Sequence, residues 1–236
     1  MLSKNEIKRI KSLSQKKFRD ELGLFTVEGE KMVEEALASG FEVEAVYRTS
    51  EIGEEAMGRI SALSSPSPAL AVVRMPSASA PVTPAPDELV LALDSLRDPG
   101  NVGTIIRLAD WFGICTILAS RDTVDIYNPK VVQATMGAIF RVRFVYCDLV
   151  STLSDFRASG LPVYGTFLNG DNIYRRSLTP GGVIVMGSES NGISAKVGTL
   201  VTDRLFIPPF APEGPGSESL NVAIATAITC SEFRRR

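Results

Sequence analysis

The run Leu89-Val90-Leu91-Ala92-Leu93 constrains the fold more than any other stretch of the chain. Consecutive apolar residues of this kind fit a strand covered on both faces, and such strands belong to parallel sheets flanked by helices. The chain beyond it keeps the same rhythm. A turn at Asp98-Pro99-Gly100 leads into a helix over about 102–112, stopped at Gly113. A strand at 114–119 and a helix after Asn128-Pro129 come next. Further strands are expected near 142–145, 162–166, 182–186 and 204–207, with a last helix over about 220–233. Repeated β-α alternation predicts an α/β domain with a parallel sheet over residues 88–236. Ligands on such sheets bind outside the carboxyl ends of the strands, so function is sought in those loops.

Residues 1–75 read as a smaller unit. Lys4, Lys8, Arg9, Lys11, Lys16, Lys17 and Arg19 stand against one acid, Glu6, in the segment 4–19. Ile7, Ile10, Leu13 and Phe18 lie near helical spacing, so the segment reads as one amphipathic helix with a basic face. A solvated face is one reading of it, and contact with nucleic-acid phosphates is the other. From Asp20 to Glu55 the charge balance reverses. A helix over 28–38, a strand at 43–47, a helix over 54–63 and a strand at 69–75 complete a small N-terminal α/β domain. Residues 76–87 hold four prolines and no apolar period, which predicts an inter-domain linker.

The chain contains no histidine among its 236 residues. That removes Ser-His-Asp and Cys-His nucleophiles, His-ligated zinc and imidazole acid–base chemistry. Cys115, Cys147 and Cys230 form no CxxC pair, which fits small buried thiols and no metal. The N-terminus has no apolar signal core, and no segment offers the ~18–20 apolar residues of a membrane span. A cytoplasmic protein with neither membrane nor metal partner is expected.

Three loops carry the polar residues worth weighing. Asn101 stands where a helix N-cap is expected, with Arg107 six residues on. The apolar strand Val183-Ile184-Val185 runs into Met186-Gly187-Ser188-Glu189-Ser190-Asn191-Gly192, which puts a carboxylate between glycines at a strand end. Ile207-Pro208-Pro209 leads through a Pro- and Gly-rich stretch to Ser219-Leu220-Asn221, where Ser219 is the expected cap of the last helix. None of these is a P-loop or a dinucleotide fingerprint. Taken singly, each fits a capped helix or a turn.

In this order, the three loops resemble the SpoU (TrmH) family of RNA 2′-O-ribose methyltransferases in the SPOUT superfamily. That family pairs an Asn–x5–Arg helix start with a Gly-x-Glu loop and an Ile-Pro loop leading to Ser-Leu-Asn. Tyr127-Asn128-Pro129-Lys130-Val131-Val132, Gly137-Ala138-Ile139-Phe140, Phe18-Arg19-Asp20 and Phe25-Thr26-Val27-Glu28-Gly29-Glu30-Lys31 match as well, so the resemblance spans nearly the whole chain. Two departures are a glutamine at Gln133, where relatives often carry a basic residue, and a long loop over 209–218.

The resemblance implies a C-terminal parallel-sheet domain with a deep trefoil knot and an N-terminal substrate-binding domain. It implies methyl transfer from S-adenosylmethionine to a ribose 2′-hydroxyl of RNA, ribosomal before transfer RNA, by a homodimer. Arg107, Asn101, Glu189, Ser219 and Asn221 are then catalytic. Thr166, Phe167, Leu168, Gly187, Ile207 and Leu220 hold the cofactor, and Lys8, Lys11, Lys16, Lys17 and Arg19 grip the RNA. A 2′-hydroxyl target excludes DNA. Two other classes compete: a non-catalytic RNA-binding or ribosome-assembly factor of the same fold, and a nucleotide-binding oxidoreductase. The intact polar set counts against the first, and the missing GxGxxG against the second.

Overall fold

The computed structural model describes residues 2–77, 81–210 and 218–235. Its first elements are α1 (Lys4–Ser12), α2 (Lys16–Leu22), β1 (Leu24–Glu28), α3 (Glu30–Ala38), β2 (Val43–Arg48), α4 (Thr49–Ile52), α5 (Glu54–Ile60) and β3 (Ala69–Arg74). Then come β4 (Leu89–Asp94), α6 (Pro99–Trp111), β5 (Thr116–Ser120), α7 (Pro129–Thr135), β6 (Arg143–Cys147) and α8 (Leu149–Ala158). The last are β7 (Val163–Asn172), β8 (Gly182–Gly187), α9 (Ala195–Gly198), β9 (Asp203–Phe206) and α10 (Val222–Arg234). They form two compact units, residues 2–77 with 125–141 and residues 81–124 with 142–235. The segment 125–141, expected inside the second domain, packs with the first unit. Residues 78–80 of the expected linker and 211–217 of the long loop lie outside the described residues.

The first unit is built on an antiparallel sheet in the order β1-β3-β2. Ile7, Ile10 and Leu13 bury against Leu24, Met57, Ile60, Leu70 and Val72. A second cluster is aromatic: Phe25 lies 4.7 Å from Tyr127 and Phe41 lies 5.1 Å from Phe140, between ring centroids. These contacts recruit 125–141, because the rings bury large apolar area and pack tilted or edge-on. Burial pushes the Tyr127 phenol up to about 12.

The single basic helix expected over 4–19 is two helices. Ser12 and Ser14 turn their hydroxyls back onto the carbonyls of Arg9 and Lys11, at 2.7 and 2.8 Å, competing with the helical ladder at its end. Arg19, expected on RNA, is 2% exposed. Its guanidinium donates to the carbonyls of Leu13 and Ser14 and pairs with Asp125 at 2.6 Å. This corrects the expectation: Arg19 closes the break between the two helices and is withdrawn from solvent. Lys8, Lys11, Lys16 and Lys17 stay exposed, with Lys16 paired to Asp20 at 2.7 Å.

The second unit holds a six-stranded sheet in the order β6-β5-β4-β8-β7-β9, every neighbouring pair parallel. One face of β4 and β8 presents Val90, Ala92, Val183 and Val185 to Leu149, Leu153 and Phe156 of α8. Alternation along the strand turns Leu91, Leu93 and Ile184 to the other face, where they are fully buried. α6 and α10 pack side by side. They are joined at their starts by Asn221 to Asn101 and at their ends by Arg234, which donates to the carbonyls of Phe112 and Gly113 at 2.8 and 3.0 Å. A cation on the last carbonyls of a helix satisfies its orphan acceptors and its dipole. Of the cysteines, only Cys230 is buried, with its thiol pushed up to about 12 by desolvation, while Cys115 is exposed.

Candidate active site

The carboxyl ends of β4, β8, β7 and β9 stand next to one another in the sheet, so their loops share one edge. After β4 the chain turns through Ser95, whose φ of 61° is left-handed, and enters α6 at Asp98. Asp98 is the cap, accepting from the Asn101 N–H at 2.7 Å. Asn101 therefore sits in the first turn of α6 with its side chain uncommitted to the helix backbone, which corrects its expected capping role. At α10 the cap is Asn221 and not Ser219. Its Oδ1 accepts the N–H groups of Ala223 and Ile224 at 2.9 and 3.3 Å.

That cap fixes the orientation of everything beyond it. With Oδ1 committed to the helix, Asn221 Nδ2 donates to Asn101 Oδ1 at 2.9 Å. Asn101 then has only its Nδ2 to offer in the other direction, and it donates to Glu189 Oε1 at 2.6 Å. An amide carries one acceptor and one donor end, so donor and acceptor roles pass from the α10 backbone to the carboxylate without ambiguity. The loops of Glu189 and Asn221, 88 and 120 residues from Asn101 in sequence, are joined to it through two amides and one acid.

The Glu189 loop is held at its base. Ser188 and Gly192 exchange backbone hydrogen bonds of 3.0 and 2.9 Å, and Gly192 has a φ of +64°. A Cβ at Gly187 would collide with the backbone of Gly192 and Ile193, so this turn needs glycine there. Asp94, buried at the end of β4, accepts the Ser194 N–H at 2.7 Å and pins the far end of the same loop. Asp94 belongs to none of the three sequence motifs. A lone acid ending an apolar strand was its only signal.

β7 is longer than expected because it leaves its ladder and returns. Thr166 and Asp171 both stand opposite Leu205, so residues 167–170 form an excursion. Arg204 clamps it, with its guanidinium 3.6 Å from the Phe167 ring centroid and donating to Asn169 Oδ1 at 2.8 Å. Leu168 projects from the excursion, 68% exposed. Thr166 Oγ1 lies 3.7 Å from the Met186 sulfur, while Ile207 and Leu220 line the neighbouring loops beyond β9 and before α10. Arg204 has no sequence signal at all, since its role exists only once the excursion forms.

Two expected members stay apart. Arg107 is exposed on α6, in line with Thr104 and Trp111, and its guanidinium makes no hydrogen bond or ion pair among the described residues. Ser219 is exposed and its hydroxyl makes no bond among them either. No group of acids and thiols among the described residues could hold a metal ion, and no helix among them is long and apolar enough to cross a membrane.

Residues 88–231 match the family model described as SpoU rRNA Methylase family. The chain belongs to that family. Residues 4–87 match the MRM3-like substrate binding domain. Among curated proteins, the chain is 30% identical over 249 residues to the 23S rRNA (guanosine(2553)-2′-O)-methyltransferase RlmP of Bacillus subtilis (strain 168), covering 98% of this chain and 97% of the relative. Among solved structures, a TrmH-family protein from Porphyromonas gingivalis superposes with a TM-score of 0.89 at 42% identity, over 100% of this chain and 99% of that one. The AdoMet-bound rRNA methyltransferase from Sinorhizobium meliloti superposes with a TM-score of 0.87 at 29% identity, over 100% and 97%. Family membership thus agrees with the three loops that the geometry brings to one edge.

Proposed function

We propose that this chain transfers a methyl group from S-adenosylmethionine to a ribose 2′-hydroxyl of 23S ribosomal RNA, in the cytoplasm and as a homodimer. The observation that carries the reading is the Asn221–Asn101–Glu189 relay, with Arg107 left free on the helix that holds Asn101. The enzymatic relatives act on 23S rRNA or carry AdoMet by their names, and two of them cover nearly the whole chain. The trefoil knot implied by the family resemblance belongs to the same reading.

The cofactor supplies an electrophilic methyl sulfonium, so no metal is required. Support for its site comes from the excursion 167–170, which takes Phe167 and Leu168 out of the strand ladder beside Gly187. Their unladdered backbone suits the polar edge of an adenine, and exposed Leu168 and Leu220 suit its faces. The relay fixes Glu189 as an acceptor on one oxygen, leaving the other to orient a ligand hydroxyl or amine. Arg107 binds the RNA phosphate and stabilises the alkoxide that develops on the attacking oxygen. A guanidinium stays protonated in proteins, so Arg107 acts as a fixed cation and the hydroxyl proton leaves to the held phosphate or to water. Lys8, Lys11, Lys16 and Lys17 supply grip on the RNA backbone.

A second copy is read from the outer surface of the α6–α10 pair. Exposed apolar side chains on this pair support it, Trp111 at 83% exposed and Ile224 at 53%. Sedimentation of the wild type at micromolar concentration should give a dimer and Trp111→Glu a monomer. A wild-type monomer overturns the dimer.

The activity itself is tested with methyl-labelled S-adenosylmethionine and unmodified 23S rRNA and transfer RNA transcripts. Label should enter 23S rRNA at one nucleotide whose 3′ linkage then resists alkali. Label on a base, or in transfer RNA alone, replaces this reading.

A further inference from the structure

The sheet has a second opening on its carboxyl edge. The relay and the excursion use the loops of β4, β8, β7 and β9. On the other side of β4, the ends of β4, β5 and β6 enclose a cleft of about 250 Å³. Its floor is Asp94 and Ser120, its apolar wall is Leu149 and Val150, and its rim carries Arg121 and Lys196.

The charges here divide into spent and unspent. Asp94 is buried and accepts the Ser194 N–H, and Asp148 caps α8 by accepting from the Ser151 N–H at 3.2 Å. The hydroxyls of Ser120 and Ser95 hold the Asp122 carboxyl below the usual carboxylate range, and its partner is Arg97 at 3.8 Å. Arg121 and Lys196 are exposed and make no ion pair among the described residues. One oxygen of Asp148 and an exposed Val150 complete a small pocket with acceptors below and two free cations above. At about 250 Å³ it falls below the ~300–1,000 Å³ of sites that enclose drug-sized ligands. A single nucleotide fits this size and chemistry, and a second whole cofactor does not.

We propose that this cleft takes one unstacked nucleotide of the RNA strand that also occupies the relay site. Its base lies on Val150, 38% exposed at the wall of the cleft, with a base N–H donating to the free Asp148 oxygen. Its phosphate lies between Arg121 and Lys196. The inference rests on RNA being the substrate. It adds what that reading leaves open, namely a second point of hold on the same loop: Ser194, at the mouth of the cleft, ends the turn that carries Glu189. RNA recognition commonly uses splayed, unstacked bases of this kind.

The test uses the full chain and an unmodified 23S rRNA transcript, with binding followed against salt. Arg121→Ala with Lys196→Ala should weaken affinity about tenfold at 0.15 M salt and flatten the slope of log K against log salt by ~0.7, the value for one neutralised phosphate on a single strand. Arg121→Lys with Lys196→Arg should restore the slope. Val150→Asp, on an exposed position, should raise KM for RNA, while S-adenosylmethionine affinity by calorimetry stays at the wild-type value in all three variants. Unchanged RNA affinity and slope in the double alanine variant overturn the proposal. So does Arg121- and Lys196-dependent binding of free guanosine or uridine monophosphate without any effect on the transcript. A wild type that binds the transcript yet transfers no methyl breaks the proposed activity and leaves the binding arm decisive. A wild type that does not bind it overturns both.

Discussion

Helix α2 carries Arg19 inward, and helix α6 carries Arg107 outward. Arg19 is closed in by two carbonyls and Asp125, with its Nε buried and unpartnered among the described residues. Arg107, two turns into a helix anchored at both ends, faces solvent with no partner there. Both are arginines in helical segments, and both were expected to meet RNA. The difference teaches that a guanidinium's function is set by the donors left over after folding. Arg19 has spent its charge on joining α1 to α2 and to residue 125. Arg107 keeps its planar fork unpaired among the described residues, and the proposed function gives that fork to a phosphate.

Substitutions break this contrast in order of effect. Arg107→Ala should slow methyl transfer at saturating RNA on the order of 10³-fold, with cofactor affinity by calorimetry unchanged, because its proposed contacts are to the RNA and the reacting oxygen. Arg107→Lys should recover little, since an ammonium keeps the charge and loses the fork. Arg19→Ala should cost about 3–5 kcal/mol in denaturant unfolding, because it leaves Asp125 and two helix-end carbonyls without their donor. Surviving folded protein should still methylate. Neutralising Lys8, Lys11 and Lys16 together should weaken RNA binding about tenfold and lower its salt slope by ~2, since Lys16 already shares its charge with Asp20.

Much of the second unit was legible in the sequence. The apolar runs at 89–93 and 183–185 become neighbouring strands, β4 and β8, and their loops carry the relay. Asn101, Glu189 and Asn221 were readable because each sits where a strand ends or a helix starts. What failed to show were events decided between distant segments. The break after Ser12 depends on two serine hydroxyls and on Arg19 filling the gap, while the spacing of Ile7, Ile10 and Leu13 continues the helical pattern. The capture of 125–141 by the first unit depends on Phe25 and Phe41 meeting Tyr127 and Phe140. The excursion in β7 depends on Arg204 across the ladder. The caps shifted by two or three residues, to Asp98 and Asn221, because neighbouring polar side chains compete for the same N–H groups.

The central claim is that folding leaves Arg107 for the transition state and the N-terminal lysines for grip alone. Single-turnover methyl transfer to a 23S rRNA transcript, at saturating RNA and cofactor, tests it most directly. Arg107→Ala should slow the step on the order of 10³-fold, and the Lys8, Lys11 and Lys16 triple variant should stay within about threefold of wild type once RNA is saturating. Equal slowing by the two variants would contradict the division and make the N-terminal helix part of the active site.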